Sequence, residues 1–526
     1  MTKLEMPPPL PIDWKMKDIS TAETNFGELD DGRLELRIND VVASLPGSRL
    51  TAEYEISHDD VRDTRHEVGL RLRIPLSGSK PARSLASLSS QQRRMLDGVE
   101  RDTDIITVRS KAEKVEDALT GTDFDRVAYA SPGNNVTSTS NTAGDNSLII
   151  LNGGNRRTQT LQANQTLQGG GSTIVVRGLA SGLELPFTAP GAAGRLVQPG
   201  GDNSDNLVIA GSNTHVAGIT IIGSGGSGSG DGVDLGNRKS NVFLTDLNIR
   251  RTSDDGVDID NGNSDIWLIN VNTSNTDDGG VSIGNRNTGV SIIGGSIINS
   301  DDYGIRMGSR NVVSIKDLRM LRIDEDALRI DGNRNQVTIT GGLIRNIDGD
   351  GIDVNGSNNI ASINGTVFAR IDDDVIVLDG SDNEFTIANI FVSNSPDVVN
   401  VEGRDNKISI SNSTFSNITD DVFDLDNTGN QLLVTGSIFN GVVDDVFRFE
   451  NAGGSEVLIS NNIFNGPIGG FFLTFEDNGV TDIQVGSTGN TNNTGVDPLP
   501  CRTTGSASFT GGVEFLSSTT VNAGNC

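Results

Sequence analysis

Cysteine occurs only twice in 526 residues, histidine three times, and aromatic residues make up 4% of the chain. No apolar run reaches the roughly 18 residues of a membrane-crossing helix, and the opening MTKLEMPPPLPIDWKMKD has no apolar h-region of a secretory signal. Positive charge is also scarce. Lys and Arg number 41 against 70 Asp and Glu, giving a net charge of −29, with the excess of acid falling after residue 120. Such a surface repels nucleic-acid phosphates and anionic lipid headgroups, so no nucleic-acid partner is expected; cations and neutral or basic partners are compatible with it. Solubility alone accounts for the charge equally well. The two cysteines, Cys501 and Cys526, both lie near the C-terminus. An isolated pair there suggests one disulfide formed in an oxidising compartment, against the alternative of two free thiols.

What is abundant is glycine, 64 residues, together with Asn and Asp, while hydrophobic residues are only 34%. This composition suits many turns around a thin core. The turns recur with a period of 24 residues, slipping at times to 23. Short apolar runs start at Gly232 (GVDL), Gly256 (GVDI), Gly280 (GVSI), Gly304 (GIRM), Ala327 (ALRI) and Gly351 (GIDV), and onward to GGFFLTF near Gly470. Each unit holds a second run, such as VTITGGLI from Val337, and then a polar turn. The runs are short and β-branched with no helical stripe, so helical solenoids are poor candidates. A single unit cannot bury its own apolar face. Stacking successive units pairs their strands in parallel and piles the inward side chains into columns, so the expected fold is all-β: a right-handed parallel β-helix of about eleven or more coils, at least about 50 Å long.

Alternation assigns the inward pairs of the first strand, from Val257/Ile259 through Ile305/Met307 and Ile352/Val354 to Phe423/Leu425 and Phe447/Phe449. The outward positions are Asp258, Ser282, Arg306, Arg329, Asp353, Val377, Asn400, Asp424 and Arg448, the face that a ligand meets. Two polar ladders accompany them. Asn263, Asn287, Asn311, Asn335, Asn359, Asn383, Asn406 and Asn430 read as turn residues, because asparagine tolerates left-handed backbone and both donates and accepts. The acidic ladder, Asp231, Asp255, Asp278, Asp302, Asp326, Asp350, Asp374, Asp397, Asp421 and Asp445, reads first as turn capping. Its doubled members make Asp254, Asp255, Asp277, Asp278, Asp301 and Asp302 candidate ligands for a hard cation such as Ca2+, although the fold requires no cofactor and the calcium-binding nonapeptide of β-rolls is absent.

Catalysis on a β-helix needs paired carboxylates, or a cation with an Arg or Lys base. Asp255, Asp258, Asp278, Arg306, Arg329 and Asp353 are the candidates, since neighbouring coils bring them near one another. The segment SDDGVDI, residues 253–259, resembles local sequence in polygalacturonase-type β-helices, but that family's histidine-containing GHG and its RIK segment have no counterpart. His58 and His66 precede the β-helix and His215 lies alone in SNTHVAGI, which leaves a histidine-metal cluster or an epimerase-type histidine site without support.

Residues 30–75 read differently. GRLELRIND, SRLTAEYEISHDD and RHEVGLRLRIPL alternate polar and apolar residues, as strands of a transmembrane β-barrel do, yet three or four strands cannot close one. GLRLRIPL followed by RRMLDGVERDTDIIT resembles the end of the barrel and the linker of intimin/invasin-type inverse autotransporters, over about residues 25–110 with the barrel portion truncated. TQTLQANQTLQGGGSTIVVRG, residues 158–178, is similar to the first coils of β-helix passengers on such barrels, a pectin-lyase-like fold. The resemblance implies attachment to the outer membrane through the N-terminal strands and display at the cell surface or outside the cell.

The expected organisation is a disordered segment at 1–24, partial barrel strands at 25–88, a linker at 89–125, the β-helix at 126–480 and a C-terminal cap at 481–526. The leading expectation for function is an adhesin or carbohydrate-binding passenger whose partner is a polysaccharide or a molecule on a host or neighbouring cell. The alternatives are a lyase or glycoside hydrolase acting on uronate-containing polymers, and a passive stalk.

Overall fold

The computed structural model describes residues 12–18, 30–39, 41, 48–59, 63–74, 112–201, 204–226, 228–477, 482–496, 499–505, 508–516, 519–522, 524 and 526. Most of the expected linker lies outside these residues. The chain divides into two units, Met1–Glu113 and Lys114–Cys526.

In the first unit, β1 (Ile12–Asp18), β2 (Asp30–Asn39), β3 (Arg49–Asp59) and β4 (Asp63–Arg73) form an antiparallel sheet in chain order. The segment IDWKMKD, placed above in a disordered terminus, is therefore a strand; its alternation of apolar and polar residues is the reason. The register lines up Trp14, Leu36, Ala52 and Leu70 across the sheet, with Lys15, Glu35, Glu53 and Gly69 in the next row. On β4, Val68, Leu70 and Leu72 are 79%, 73% and 57% exposed.

The second unit is a right-handed parallel β-solenoid of about 15 coils with a repeat of about 24 residues. At roughly 4.8 Å per coil it is about 70 Å long, more than eleven coils would span. Each coil contributes three short strands, as in Val257–Ile259, Ser264–Ile269 and Asn272–Thr276. These stack in register into a first, second and third sheet. All the inward pairs of the first sheet are buried, from Val257 and Ile259 to Phe447 and Phe449. Toward the C-terminus the core becomes a phenylalanine stack, with Phe439 on Phe464 at 4.7 Å and Phe449 on Phe475 at 5.0 Å between ring centroids.

The asparagine ladder joins coil to coil. The backbone N–H of Asn263 donates to Oδ1 of Asn287 at 2.7 Å, Asn287 to Asn311 at 2.8 Å, and so on to Asn406 donating to Asn430 at 2.9 Å. These side chains are buried and satisfy backbone donors that the turn leaves without a strand partner.

Both ends of the core are covered. At the N-terminal end lies α1 (Val136–Ala143), whose N-cap Asn135 accepts from the Ser138 N–H at 2.8 Å; its Val136, Thr139, Ser140 and Ala143 are buried. Residues 114–125, assigned above to the linker, belong to this unit. Val115–Asp117 pairs antiparallel with Thr173–Gly178, which pairs with Glu184–Thr188. This small sheet brings buried Asp117 onto His215, 2.7 Å from Nδ1, and onto the Thr166 hydroxyl at 2.8 Å, while His215 Nε2 meets Thr245 at 2.8 Å. His215 is thus one member of a four-residue buried network, assembled by chain 98 residues away. Burial works to raise the Asp117 carboxyl, but the bonds from His215, Thr166 and the Leu119 N–H hold it below the usual carboxylate range.

The expected C-terminal cap begins with one more regular coil, Asp482–Thr488, Thr491–Asn493 and Cys501–Gly505. Phe515 then covers Phe464 and Phe472, with ring centroids 6.0 and 5.5 Å away. Cys501 and Cys526 are joined by a disulfide across a Cα–Cα distance of 4.8 Å.

Candidate functional site

The first sheet carries only three residues per coil on most rungs, so the turn before each strand stands beside its single outward side chain. That turn is where the acidic ladder sits. The backbone N–H of Asp255 donates to the Asp231 carboxylate at 3.0 Å, Asp374 to Asp350 at 2.9 Å and Asp445 to Asp421 at 2.8 Å. Capping of the turn is therefore its first role. The ladder is not continuous, however. Register places Gly279 and Tyr303, not Asp278 and Asp302, at the ladder position on two successive coils. Asp278 and Asp302 stand one residue earlier, in line with Asp254. The doubled acids hid this, because either member of DD fits the period.

At the break the acids converge. The carboxyls of Asp254 and Asp278, of Asp278 and Asp302, and of Asp302 and Glu325 lie within hydrogen-bonding reach of one another. Burial, and then these neighbouring acids, raise Asp254, Asp278 and Asp302 above the usual carboxylate range. Buried Tyr303 interacts with Asp278, and its hydroxyl accepts from Arg306 Nη1 at 2.7 Å. Arg306 Nε donates to Asp331 at 2.6 Å, and Arg329 Nε donates to the other oxygen of the same carboxylate at 2.9 Å. Arg329 also approaches Asp326 at 3.4 Å and Asp353 at 3.7 Å. A polar chain thus runs over five coils from Asp254 to Asp353.

Burial, reinforced by neighbouring acids, sets the proton affinities. Asp255 is pushed up to about 8 by burial and then by Asp278, and Asp231 to about 9 by burial and then by Asp255. Asp258, raised by burial and then by Asp260, and Asp254, raised by burial and then by its bond to Asp278, each reach about 6. Burial and then Asp326 lift Asp353 to about 6. Asp331 behaves oppositely. Burial opposes its charge, but the bonds from Arg329 and Arg306 hold it below the usual range.

All six candidate catalytic residues therefore fall on one stretch of one face. Asp353 is nearly covered, as are Val377 and Asp424, because the side chains of adjoining coils and the preceding turn close over so short a strand. Four groups of three carboxylates place ligand oxygens within 4.8 Å of one another and can hold a hard cation such as Ca2+: Asp231/Asp254/Asp255, Asp326/Asp350/Asp353, Asp350/Asp373/Asp374 and Asp420/Asp421/Asp444. Among the six cation candidates only Asp254 and Asp255 join such a group; Asp277, Asp278, Asp301 and Asp302 do not, since the third carboxylate comes from the ladder of the preceding coil.

Sequence reasoning missed Tyr303 and Asp331. Aligning the repeats strictly at 24 residues would have exposed Tyr303, one of three tyrosines, at an aspartate position. Asp331 sits in a turn where one added residue restores the period, which no pattern signals. An aromatic platform exists, Phe243 stacked on half-exposed Trp267 at 6.0 Å, but on the second sheet, away from the acids.

No protein-family model matches the chain, and no curated protein matches it. Solved structures align with parts of the chain. Tailspike protein 3 of bacteriophage CBA120 aligns at 10% identity over 69% of this chain and 59% of its own, with a TM-score of 0.33. The A-module of a mannuronan C-5 epimerase from Azotobacter vinelandii aligns at 12% over 73% and 95%, TM-score 0.23. The catalytic domain of an α-1,3-glucanase in complex with tetrasaccharides aligns at 12% over 85% and 96%, TM-score 0.31. The chain spans 59% of the tailspike. At such values nothing about activity transfers.

Proposed function

We propose that the solenoid binds an extended polysaccharide along its first sheet between Asp231 and Asp353 and cleaves glycosidic bonds there. The observation that carries this reading is the break in the acidic ladder. Between Asp231 and Asp445 the repeat gives up its structural aspartate at Gly279 and Tyr303, and there the acids of four coils meet two arginines held by one carboxylate. In this reading Asp258, outward and half-exposed with a proton affinity near 6, protonates the glycosidic oxygen. Asp254 on the same coil activates water, and Arg306 and Arg329 hold the sugar's polar groups. Both carboxyls are raised to about 6, close enough to neutral pH for one to donate and the other to accept a proton during cleavage.

The test offers the full chain neutral glucans and uronate polymers, with and without calcium, and measures new reducing ends, unsaturated products and binding. Asp258→Asn is expected to abolish turnover and keep binding, and wild-type turnover to fall above about pH 6 as Asp258 loses its proton. Turnover intact in both Asp258→Asn and Arg306→Ala removes catalysis from this face. Binding without turnover in the wild type makes the solenoid a recognition module, the adhesin reading; neither leaves a stalk.

For location we infer display at the cell surface or release from the cell. Three features support this: the resemblance of residues 25–110 to inverse autotransporters, the β1–β4 register that separates apolar from charged rows, and the disulfide.

A further inference from the structure

Where each coil leaves the first sheet, the chain turns through one residue of left-handed backbone. That position is Arg238, Gly262, Arg286, Arg310, Arg334, Asn358, Asp382 and Asp405 on successive coils. Glycine, asparagine and aspartate are the residues this conformation favours, and arginine is not. Yet Arg286, Arg310 and Arg334 occupy it on three coils running, at φ of 61°, 63° and 61°. They line an open groove of about 620 Å³ whose other walls are asparagine and serine side chains, among them Asn285, Ser309 and Asn333. No carboxylate and no aromatic ring lines it. Among the described residues none of the three has an Asp or Glu oxygen within 4.0 Å, in a chain of net charge −29. Guanidinium groups stacked one strand spacing apart repel each other, so the row is unfavourable for folding both in backbone and in charge.

A second left-handed row, at the end of the third strand of each coil, makes the contrast. There too the backbone is left-handed, at Arg251, Asn275, Asn299, Arg322, Asn346 and Arg370, but asparagine interrupts the arginines and Arg322 bonds Asn299 at 2.6 Å. Continuity without counter-ions belongs to the first row alone.

We propose that Arg286, Arg310 and Arg334 form a rail for a linear polyanion, an acidic polysaccharide whose carboxylate or sulfate groups recur about once per coil along the solenoid axis. One acid per sugar in an extended chain matches a row of cations repeating at about 4.8 Å, and a planar guanidinium takes either anion through two parallel bonds. Single-stranded nucleic acid fits less well, because the groove has no ring on which a base stacks. The rail's last arginine, Arg334, stands three residues beyond Asp331 on the same coil, so the rail reaches the coil of the Arg306–Asp331–Arg329 chain. The inference deepens the cleavage reading by naming an acidic polymer as substrate, but it is measured by binding alone.

The experiment titrates the full chain with oligogalacturonate, dextran sulfate, uncharged dextran and single-stranded DNA, by calorimetry at low and at physiological salt. A triple variant, Arg286→Asn, Arg310→Asn and Arg334→Asn, is compared with a control, Arg251→Asn, Arg322→Asn and Arg370→Asn. The two carry equal charge, and both place asparagine where the backbone favours it, so both are expected to fold, checked by circular dichroism. The rail variant is expected to lose charged-polysaccharide affinity by about tenfold or more, the control to keep it, and salt to weaken it. Tighter binding of one charged probe assigns the rail to carboxylate or to sulfate. Equal losses in both variants, no binding of either charged polysaccharide by the wild type, or DNA bound as tightly as they are would each overturn the rail. A wild type that cleaves nothing yet binds these probes through the rail sinks the cleavage reading alone.

Discussion

Asn335 shows how much one side chain carries in this architecture. Its Oδ1 accepts the Asn311 N–H at 2.8 Å, its own N–H donates to Asn359 at 2.8 Å, and its Nδ2 donates to the Gly332 carbonyl at 3.0 Å. Asn335→Ala leaves a buried backbone donor without a partner, and a loss of about 1–3 kcal/mol is expected in urea unfolding. Phe423 tests the other kind of contact. It is fully buried and stacks on Phe447 at 5.1 Å, so Phe423→Ala is expected to cost about 3–5 kcal/mol through lost burial and the cavity left behind. A value near zero for either would mean that neighbouring coils rearrange freely, contrary to their in-register stacking.

At the scale of the element, the acidic ladder makes stability depend on pH in an uncommon direction. Unfolded aspartates titrate near 4. In the fold, burial and then neighbouring acids push Asp350 and Asp397 up to about 8 and Asp231 to about 9. Between those limits the folded chain holds protons that the unfolded chain has released, so the ladder's contribution is full at about pH 4 and declines as pH rises toward 9. Thermal unfolding at pH 4.5, 7 and 9 is expected to give steadily falling midpoints without divalent ions. Calcium held by the Asp231/Asp254/Asp255 group would flatten that decline. A midpoint that rises with pH in the absence of cations contradicts the buried, protonated ladder.

For the molecule as a whole, the solenoid depends on its ends, because an uncovered last coil exposes phenylalanines and a row of unpaired strand edges. The disulfide closes a loop with a sequence separation of 25. Replacing both cysteines, Cys501→Ser with Cys526→Ser, is expected to lower stability by about 2–4 kcal/mol and to open the C-terminal coil to proteolysis before the rest. Uniform cleavage along the chain would show that the staple protects no particular end.

The repeat, the inward columns and the turn role of asparagine were legible from residues alone, because strand alternation and coil stacking impose one pattern on every unit. Val257, Ile305 and Phe423 all follow it. The candidate face was half legible. Asp255, Asp258, Arg306 and Arg329 were readable as outward or turn positions, whereas Tyr303 and Asp331 matter through neighbours on other coils, and only the stacked register decides those. His215 looked solitary until the small N-terminal sheet brought Asp117 to it across 98 residues. The strand at Ile12–Asp18 and the extra coil from Asp482 were likewise decided by pairing partners. The sequence by itself determined the period, since every coil repeats the same local packing problem. Tertiary structure decided which carboxyls are raised and which arginines stand unpaired, since burial and charge coupling depend on distances between coils.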